Sequence, residues 1–274
     1  MKDKFSDTRS LREVQYADST NLQKRISLHE RFSTNPQGLH SWIFSQLKSP
    51  PRAAVLELGC GPGTLWIENL SETSSDWTVT LSDFSPGMVD DARVRLGKRK
   101  NFSYACIDAQ AIPFPSGCWD IVIANHMLYH VSEIGKALRE IGRVLRPNGR
   151  LFAATNGQGH LKEISEFVEM ASGRSHHRDV NVFGDSIKNF SLESGEGELR
   201  RYFRDVTLLR YEDSLRVTDV QSILSFVQSS SMLQLSEEGL DCMSDLLESK
   251  ISEEGAICIT KDPGMFIAAN PYGI

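Results

Sequence analysis

Strand-like runs and helix-period segments take turns from Ala53 to Thr155, and this alternation restricts the fold more than any other feature of the chain. AAVLEL, TVTLS, FSYACI, DIVIA and RLFAAT read as strands. Between them lie TLWIENL, a helix opened by Ser85-Pro86 that carries Met88, Val89, Ala92 and Leu96, and a helix capped by Ser132 with Ile134, Leu138, Ile141 and Leu145 as its apolar stripe. Pro147-Asn148-Gly149 reads as the turn that ends this last helix. Elements alternating over short loops predict an α/β fold: a doubly wound sheet, mostly parallel, with helices on both faces.

The flanks are less regular. Residues 1–50 read as an N-terminal helical cap. Thr20 and Gln23 form a capping-box pair ahead of Leu22, Ile26, His29 and Phe32, and Asn35-Pro36 restarts a helix with Leu39, Trp42, Ile43 and Leu47 on one face. Residues 51–274 then form one domain, with a substrate-side insertion at about 157–205. That insertion holds a helix over Leu161–Met170 and the polar stretch GRSHHRDVNVFGDS, read as mobile. VTLLRYEDSLRV reads as one strand, followed by helices over Val220–Val227 and Leu240–Ile251. AICITKDPGMFIAA reads as strand, Asp-Pro-Gly bend, strand, so the sheet is expected to close on an antiparallel last strand.

Bulk properties exclude several function classes. A net charge of −6 and a pI near 5.7 argue against binding nucleic acid through a basic surface. The short runs Lys98–Lys100 and Leu199–Arg201 read as solvated faces. Five cysteines, an odd count without metal-knuckle spacing, predict free thiols and no metal. No segment has the length and apolarity of a membrane span, and MKDKFSDTRS has no apolar targeting core. The expectation is a cytoplasmic protein with a small-molecule substrate.

VLELGCGPGTLW turns the first strand into a helix through Gly59, Gly61 and Gly63. Glycines there let backbone approach a ligand in conformations that a side chain forbids. The spacing lacks the two-residue gap of the dinucleotide fingerprint, and Glu57 at the strand end would repel a pyrophosphate. A carboxylate at that place suits an ammonium. Asp83, ending the second strand, is placed to accept hydrogen bonds from ribose hydroxyls, and Asp108, ending the third, to meet an adenine amine. Ammonium, ribose and base without phosphate are the layout of S-adenosyl-L-methionine.

ELGCGPG, LSDFSPGM, IDAQAIPFP, DIVIANHMLYHV and LRPNGRLFAAT resemble, in order and spacing, the motifs of class I S-adenosylmethionine-dependent methyltransferases. The likeness covers roughly residues 53–156 and is nearest the small-molecule branch that includes the ubiquinone/menaquinone C-methyltransferases. It implies a Rossmann-like fold. It also implies that Glu57, Gly59, Cys60, Gly61 and Gly63 hold the methionine part of the cofactor and that Asp83 binds the ribose. Phe84 and Met88 would lie beside the adenosine, Asp108 and Ala109 at the adenine, and Asn125 by the methionine end.

Methyl transfer is an in-line displacement that needs alignment and exclusion of water, and a base only where the acceptor has a proton to lose. The segment after the fourth strand lies over the methyl in this fold, which makes His126, Tyr129 and His130 the candidates, with His130 as general base. Tyr16, Arg25 and His29 of the cap, His160 beyond the fifth strand, and His176 and His177 are further candidates to face substrate. The competing readings are an RNA or protein methyltransferase, which should show a basic or aromatic platform, and a non-catalytic partner subunit that binds S-adenosylmethionine.

Overall fold

The computed structural model describes residues 20–47, 51–173, 182–230 and 233–272. Two helices lead: α1 (Thr20–Phe32) and α2 (Leu39–Gln46). Then follow β1 (Ala54–Leu58), α3 (Thr64–Glu68), β2 (Thr78–Asp83), α4 (Pro86–Leu96), β3 (Phe102–Cys106), β4 (Trp119–Asn125), α5 (Ile134–Val144) and β5 (Leu145–Asn156). Three helices, α6 (Lys162–Ala171), α7 (Val182–Ile187) and α8 (Gly195–Leu199), precede β6 (Phe203–Arg210) and β7 (Asp213–Val217). The chain ends with α9 (Val220–Gln228), α10 (Glu237–Glu254), β8 (Ile257–Lys261) and β9 (Pro263–Pro271).

Seven strands form the main sheet in the order β3-β2-β1-β4-β5-β9-β6. The first five pair in parallel, and β9 runs antiparallel to both β5 and β6. The last strand of the chain is therefore antiparallel, as expected, and is inserted between β5 and β6. Because β1 leads outward to β2 on one side and β4 on the other, strand order reverses at β1. In sheets of this kind ligands bind in the crevice outside the carboxyl ends of the strands at such a reversal.

Both faces of the sheet are covered. Ile43 and Phe44 of α2 pack with Trp66, Val79, Leu81, Ala92 and Phe152 on one face. Leu138 and Ile141 of α5 pack with Leu56, Leu58 and Val122 on the other. A third core stands apart from these: Leu28 of α1 meets Ile164, Leu215, Phe226, Met243 and Ile257, so that α1, α6, α9, α10 and the small β7–β8 sheet enclose apolar side chains of their own. Helix α1 thus belongs to this third layer, whereas α2 belongs to the sheet.

AICITKDPGMFIAA is two strands broken at Asp262, as expected, one in each sheet. Three local readings change. VTLLRYEDSLRV is two strands: β6 stays in the main sheet and β7 pairs with β8. The first residue before α5 is Glu133, without a side-chain cap, because Ser132 spends its hydroxyl on Gln110 Oε1 at 3.1 Å. Pro147-Asn148-Gly149 lies within the span of β5, where pairing with β4 slips between Trp119 and Ile121. The Thr20–Gln23 side chains and residues 174–181 of the polar stretch lie outside the described residues, while its end forms α7. No described helix is long and apolar enough to cross a membrane.

Asp213 pins the layers together. Its side chain is 0% exposed and pairs with Lys261, which is 5% exposed. It also accepts from Ser33 Oγ (2.6 Å), Thr34 N (3.1 Å), Asn35 N (3.0 Å) and Ser214 N (2.8 Å). The link between α1 and α2 is thereby fastened to β7. Asp213→Ala strands a buried ammonium and should cost about 3–5 kcal/mol. Thermal unfolding should show a drop of roughly 10 °C in Tm; an unchanged Tm would mean the pair contributes nothing net.

Candidate active site

The crevice is built on the turn from β1 into α3. Gly59, Gly61 and Gly63 have φ of 68°, 52° and 79°, all in the left-handed region that disfavours other residues. A Cβ on Gly59 would come within 2.7 Å of Met127 Cβ, so the glycine also lets the segment beyond β4 close in. Asp83, at the end of β2, locks the turn: its carboxylate accepts from Gly61 N at 2.9 Å and Ser85 N at 2.8 Å. Burial raises its pKa, against the pull of those two amides.

Glu57 is 2% exposed and accepts a hydrogen bond from Trp66 Nε1 at 2.5 Å. Burial raises its pKa from 4.5 to about 7, with the Trp66 bond and nearby His40 opposing the shift. A carboxyl held there seeks a cation. Asn125, at the end of β4, lies near enough to help hold the Glu57 pKa down, yet neither end of its buried amide makes a bond of good geometry. Thr64 Oγ1, at the start of α3, is likewise buried without a partner. Orphaned polar atoms of this kind call for a ligand.

The other predicted residues fall around the same crevice. Cys60 is buried, and its thiol is pushed well up by burial. Met88 is buried on α4, whose Ser85 cap accepts from Met88 N, and Phe84 precedes that cap. Asp108 sits two residues past β3 and accepts from Gln110 N at 2.9 Å, with buried Ala109 between them. The ends of β1, β2 and β4 and the loop after β3 thus bring one carboxylate or amide each to the same edge of the sheet.

Above this edge stand histidines from three elements. His126 follows β4 directly in a left-handed conformation, φ 51°, held by its N–H to Ala154 O at 2.9 Å. His130 ends a single 3-10 turn (Leu128–His130) with its ring at 4.5 Å, edge-on, from Tyr129. Burial lowers both to about 4, helped by His40 and Lys261 at His126 and by Arg25 and His126 at His130. At neutral pH both rings are uncharged, and as bases they are weaker than a free imidazole. His29 of α1 and His160 beyond β5 stack at 6.1 Å in the same region. Tyr16, His176 and His177 lie outside the described residues.

Local sequence patterns do not single out Trp66, Thr64 or His40. Thr64 directly follows the last glycine, a position where a hydroxyl meets the ligand-facing turn, and that is the available signal. The roles of Trp66 and His40 depend on packing between α2, α3 and β1, which no local pattern reports. Among the described residues no group of three histidines, cysteines or acids could hold a metal ion.

Residues 56–153 match the family model described as a methyltransferase domain. A malonyl-(acyl-carrier protein) O-methyltransferase of Legionella pneumophila is 31% identical over 167 residues, 60% of this chain and 57% of that protein. A ubiquinone/menaquinone biosynthesis C-methyltransferase of Pectobacterium carotovorum is 32% identical over 121 residues, 43% and 48% of the two chains. The chain thus spans about half the length of these curated relatives. Among solved structures, a Haemonchus contortus phosphoethanolamine N-methyltransferase 2 complexed with S-adenosyl-L-methionine superposes with TM-score 0.59 at 19% identity, covering 98% of this chain and 60% of that one. The 4+2 cyclase SpnF superposes with TM-score 0.59 at 16% identity, covering 97% of both. The solved structures show the fold, and residues 56–153 are similar to a methyltransferase domain found in O- and C-methyltransferases.

Proposed function

We propose that this protein transfers a methyl group from S-adenosyl-L-methionine to a small-molecule acceptor. The observation that carries the reading is the buried Glu57 carboxylate beside the unpartnered amide of Asn125 at the point where strand order reverses. The residues fit the cofactor: a turn of three glycines in the left-handed region, a buried carboxylate suited to an ammonium beside an orphaned amide, and acids at the next two strand ends. When bound, S-adenosylmethionine supplies a methyl group on a sulfonium.

Glu57 and Asn125 would hold its amino-acid end, Asp83 the ribose, and Asp108 and Ala109 the adenine, with Phe84 and Met88 beside them. Cys60, Gly61 and Gly63 would present backbone to it. His126, Tyr129 and His130 would line the acceptor side, and the low basicity of the two histidines favours a role in alignment and desolvation over proton removal. The O- and C-methyltransferases among the relatives support a small acceptor over RNA or protein. SpnF warns that the fold by itself does not decide the reaction. A non-catalytic partner subunit would bind the cofactor without turnover on any acceptor.

Two outcomes test the cofactor assignment. The raised Glu57 pKa means the ligand-free protein carries a neutral carboxyl below about pH 7, whereas an ammonium ligand needs the anion. Affinity for S-adenosylhomocysteine, measured by calorimetry, should fall up to about tenfold per pH unit below pH 7. Glu57→Gln should weaken binding and flatten that dependence. Because an acid with a raised folded pKa loses stability as pH rises through it, Glu57→Gln should also stabilise the ligand-free protein above pH 7, by about 3 kcal/mol at most. Binding that ignores pH would place the ammonium elsewhere.

Asp83→Ala should do two things at once. It removes the acceptor for ribose and strands the Gly61 and Ser85 amides, so Tm should fall by the cost of unsatisfied buried groups, about 1–3 kcal/mol, and S-adenosylhomocysteine should bind more weakly. Weaker binding with an unchanged Tm would show that those amides find other partners.

A further inference from the structure

Glu57 and Trp66 stand at the entrance and the exit of the glycine turn and join across it. Trp66 Nε1 donates to Glu57 Oε2 at 2.5 Å, and the two residues are 0% and 2% exposed. The backbone of each is held separately. Ser82 Oγ donates to the Glu57 carbonyl at 2.7 Å, and Trp66 N donates to Gly63 O at 3.1 Å. The indole makes edge contacts with Phe44 of α2 at 5.9 Å and Phe102 of β3 at 5.5 Å, at interplanar angles of 88° and 89°. Ring, bond and turn form one unit, and the carboxylate has little freedom left to rotate.

Packing alone does not call for an indole here. A phenyl ring would fill an aromatic core of this kind without bringing a donor that must be satisfied. The indole N–H can only donate, and a carboxylate takes that bond better than a neutral carboxyl does. The bond occupies Oε2 and leaves Oε1 for a ligand. The other groups around Glu57 come from three further elements and from the turn. His40 on α2 and the Asn125 amide at the end of β4 favour the carboxylate charge, and Asp83 on β2 disfavours it. The Cys60 thiol, in the turn itself, stays protonated because burial and then these two acids push it well up. Among all these neighbours Trp66 gives the carboxylate its strongest support against burial.

We infer that Trp66 is a positioning residue for the cofactor, its indole clamping Glu57 Oε2 so that Oε1 meets the ligand's ammonium. The inference rests on the methyltransferase reading above and adds to it a residue that acts through Glu57 without touching the cofactor. Through Phe44 it also gives α2 of the cap a part in cofactor binding.

The test uses the full chain labelled with 13C and 15N, with the four indole signals assigned in the wild type. In the ligand-free protein the Trp66 Nε1–H signal should move with pH near about 7, as Glu57 ionises, and saturation with S-adenosylhomocysteine should stop that movement. Glu57→Gln should abolish it. A signal that ignores pH, or one that still moves in Glu57→Gln, would overturn the inference, and the wild-type titration serves even if a variant fails to fold. Trp66→Phe keeps the aromatic packing and removes the donor. By calorimetry it should bind S-adenosylhomocysteine about tenfold more weakly at pH 6, the weight of one charge-assisted hydrogen bond, with the gap narrowing toward pH 9. Added to Glu57→Gln, the same substitution should change affinity less than about twofold, because its effect runs through the carboxylate. A loss equal at every pH, or one that adds in full to that of Glu57→Gln, would leave Trp66 a packing residue and overturn the inference. Wild-type calorimetry separates the two levels. Failure of S-adenosylhomocysteine to bind removes the methyltransferase reading, whereas intact binding with an indole signal blind to pH removes only the role of Trp66.

Discussion

Three glycine backbones in the left-handed region carry β1 into α3, and the rest of the crevice depends on them. Any side chain at Gly59 would collide with Met127, and the segment beyond β4 would have to withdraw. Asn125 and His126 would move with it. The same turn offers Gly61 N to Asp83, so the end of β2 is braced against the end of β1 by one carboxylate. A ligand-facing edge assembled this way is set before any ligand arrives, which is the preorganisation that alignment of two reactants requires.

Preorganisation here has a cost in stability. Glu57 sits buried on the Trp66 indole, and its charge is disfavoured until a cation meets it. Asn125 and Thr64 leave polar atoms unsatisfied, and His126 holds a strained backbone. Functional sites commonly concentrate such features while the surrounding scaffold over-determines them. The two cores that clamp the sheet from either side supply that scaffold, with Leu56, Leu81, Val122 and Phe152 essentially excluded from solvent.

Much of this is legible along the chain. The five parallel strands, the glycine turn and the acids at three strand ends are local signals, because period, turn chemistry and strand termini are written in consecutive residues. What escapes a sequence reading is non-local. The single strand read through VTLLRYEDSLRV divides because its halves pair with β9 and β8, and Asp213 at the start of the second half is bound by Ser33, 180 residues distant in sequence. The third core is assembled from Leu28, Ile164, Leu215 and Ile257, which share no segment. Ser132 has the look of a cap because nothing local reveals that Gln110 claims its hydroxyl. His130 has the look of a base because an imidazole has a convenient pKa in water. Burial and Arg25 lower its basicity, and neither is visible until the layers are in place. Asp83 is readable as a ligand-binding acid, but its second task, holding two backbone amides, is not.

The central claim is that one edge of the sheet matches one ligand, end to end. A crystal structure of the complex with S-adenosylhomocysteine tests it most directly. It should show the ammonium on Glu57, with Asn125 newly hydrogen-bonded, the ribose hydroxyls on Asp83, and the adenine against Asp108 and Ala109. The sulfur should then point toward His126. A ligand bound in the reverse direction, or one that leaves Glu57 and Asn125 without contact, would contradict it.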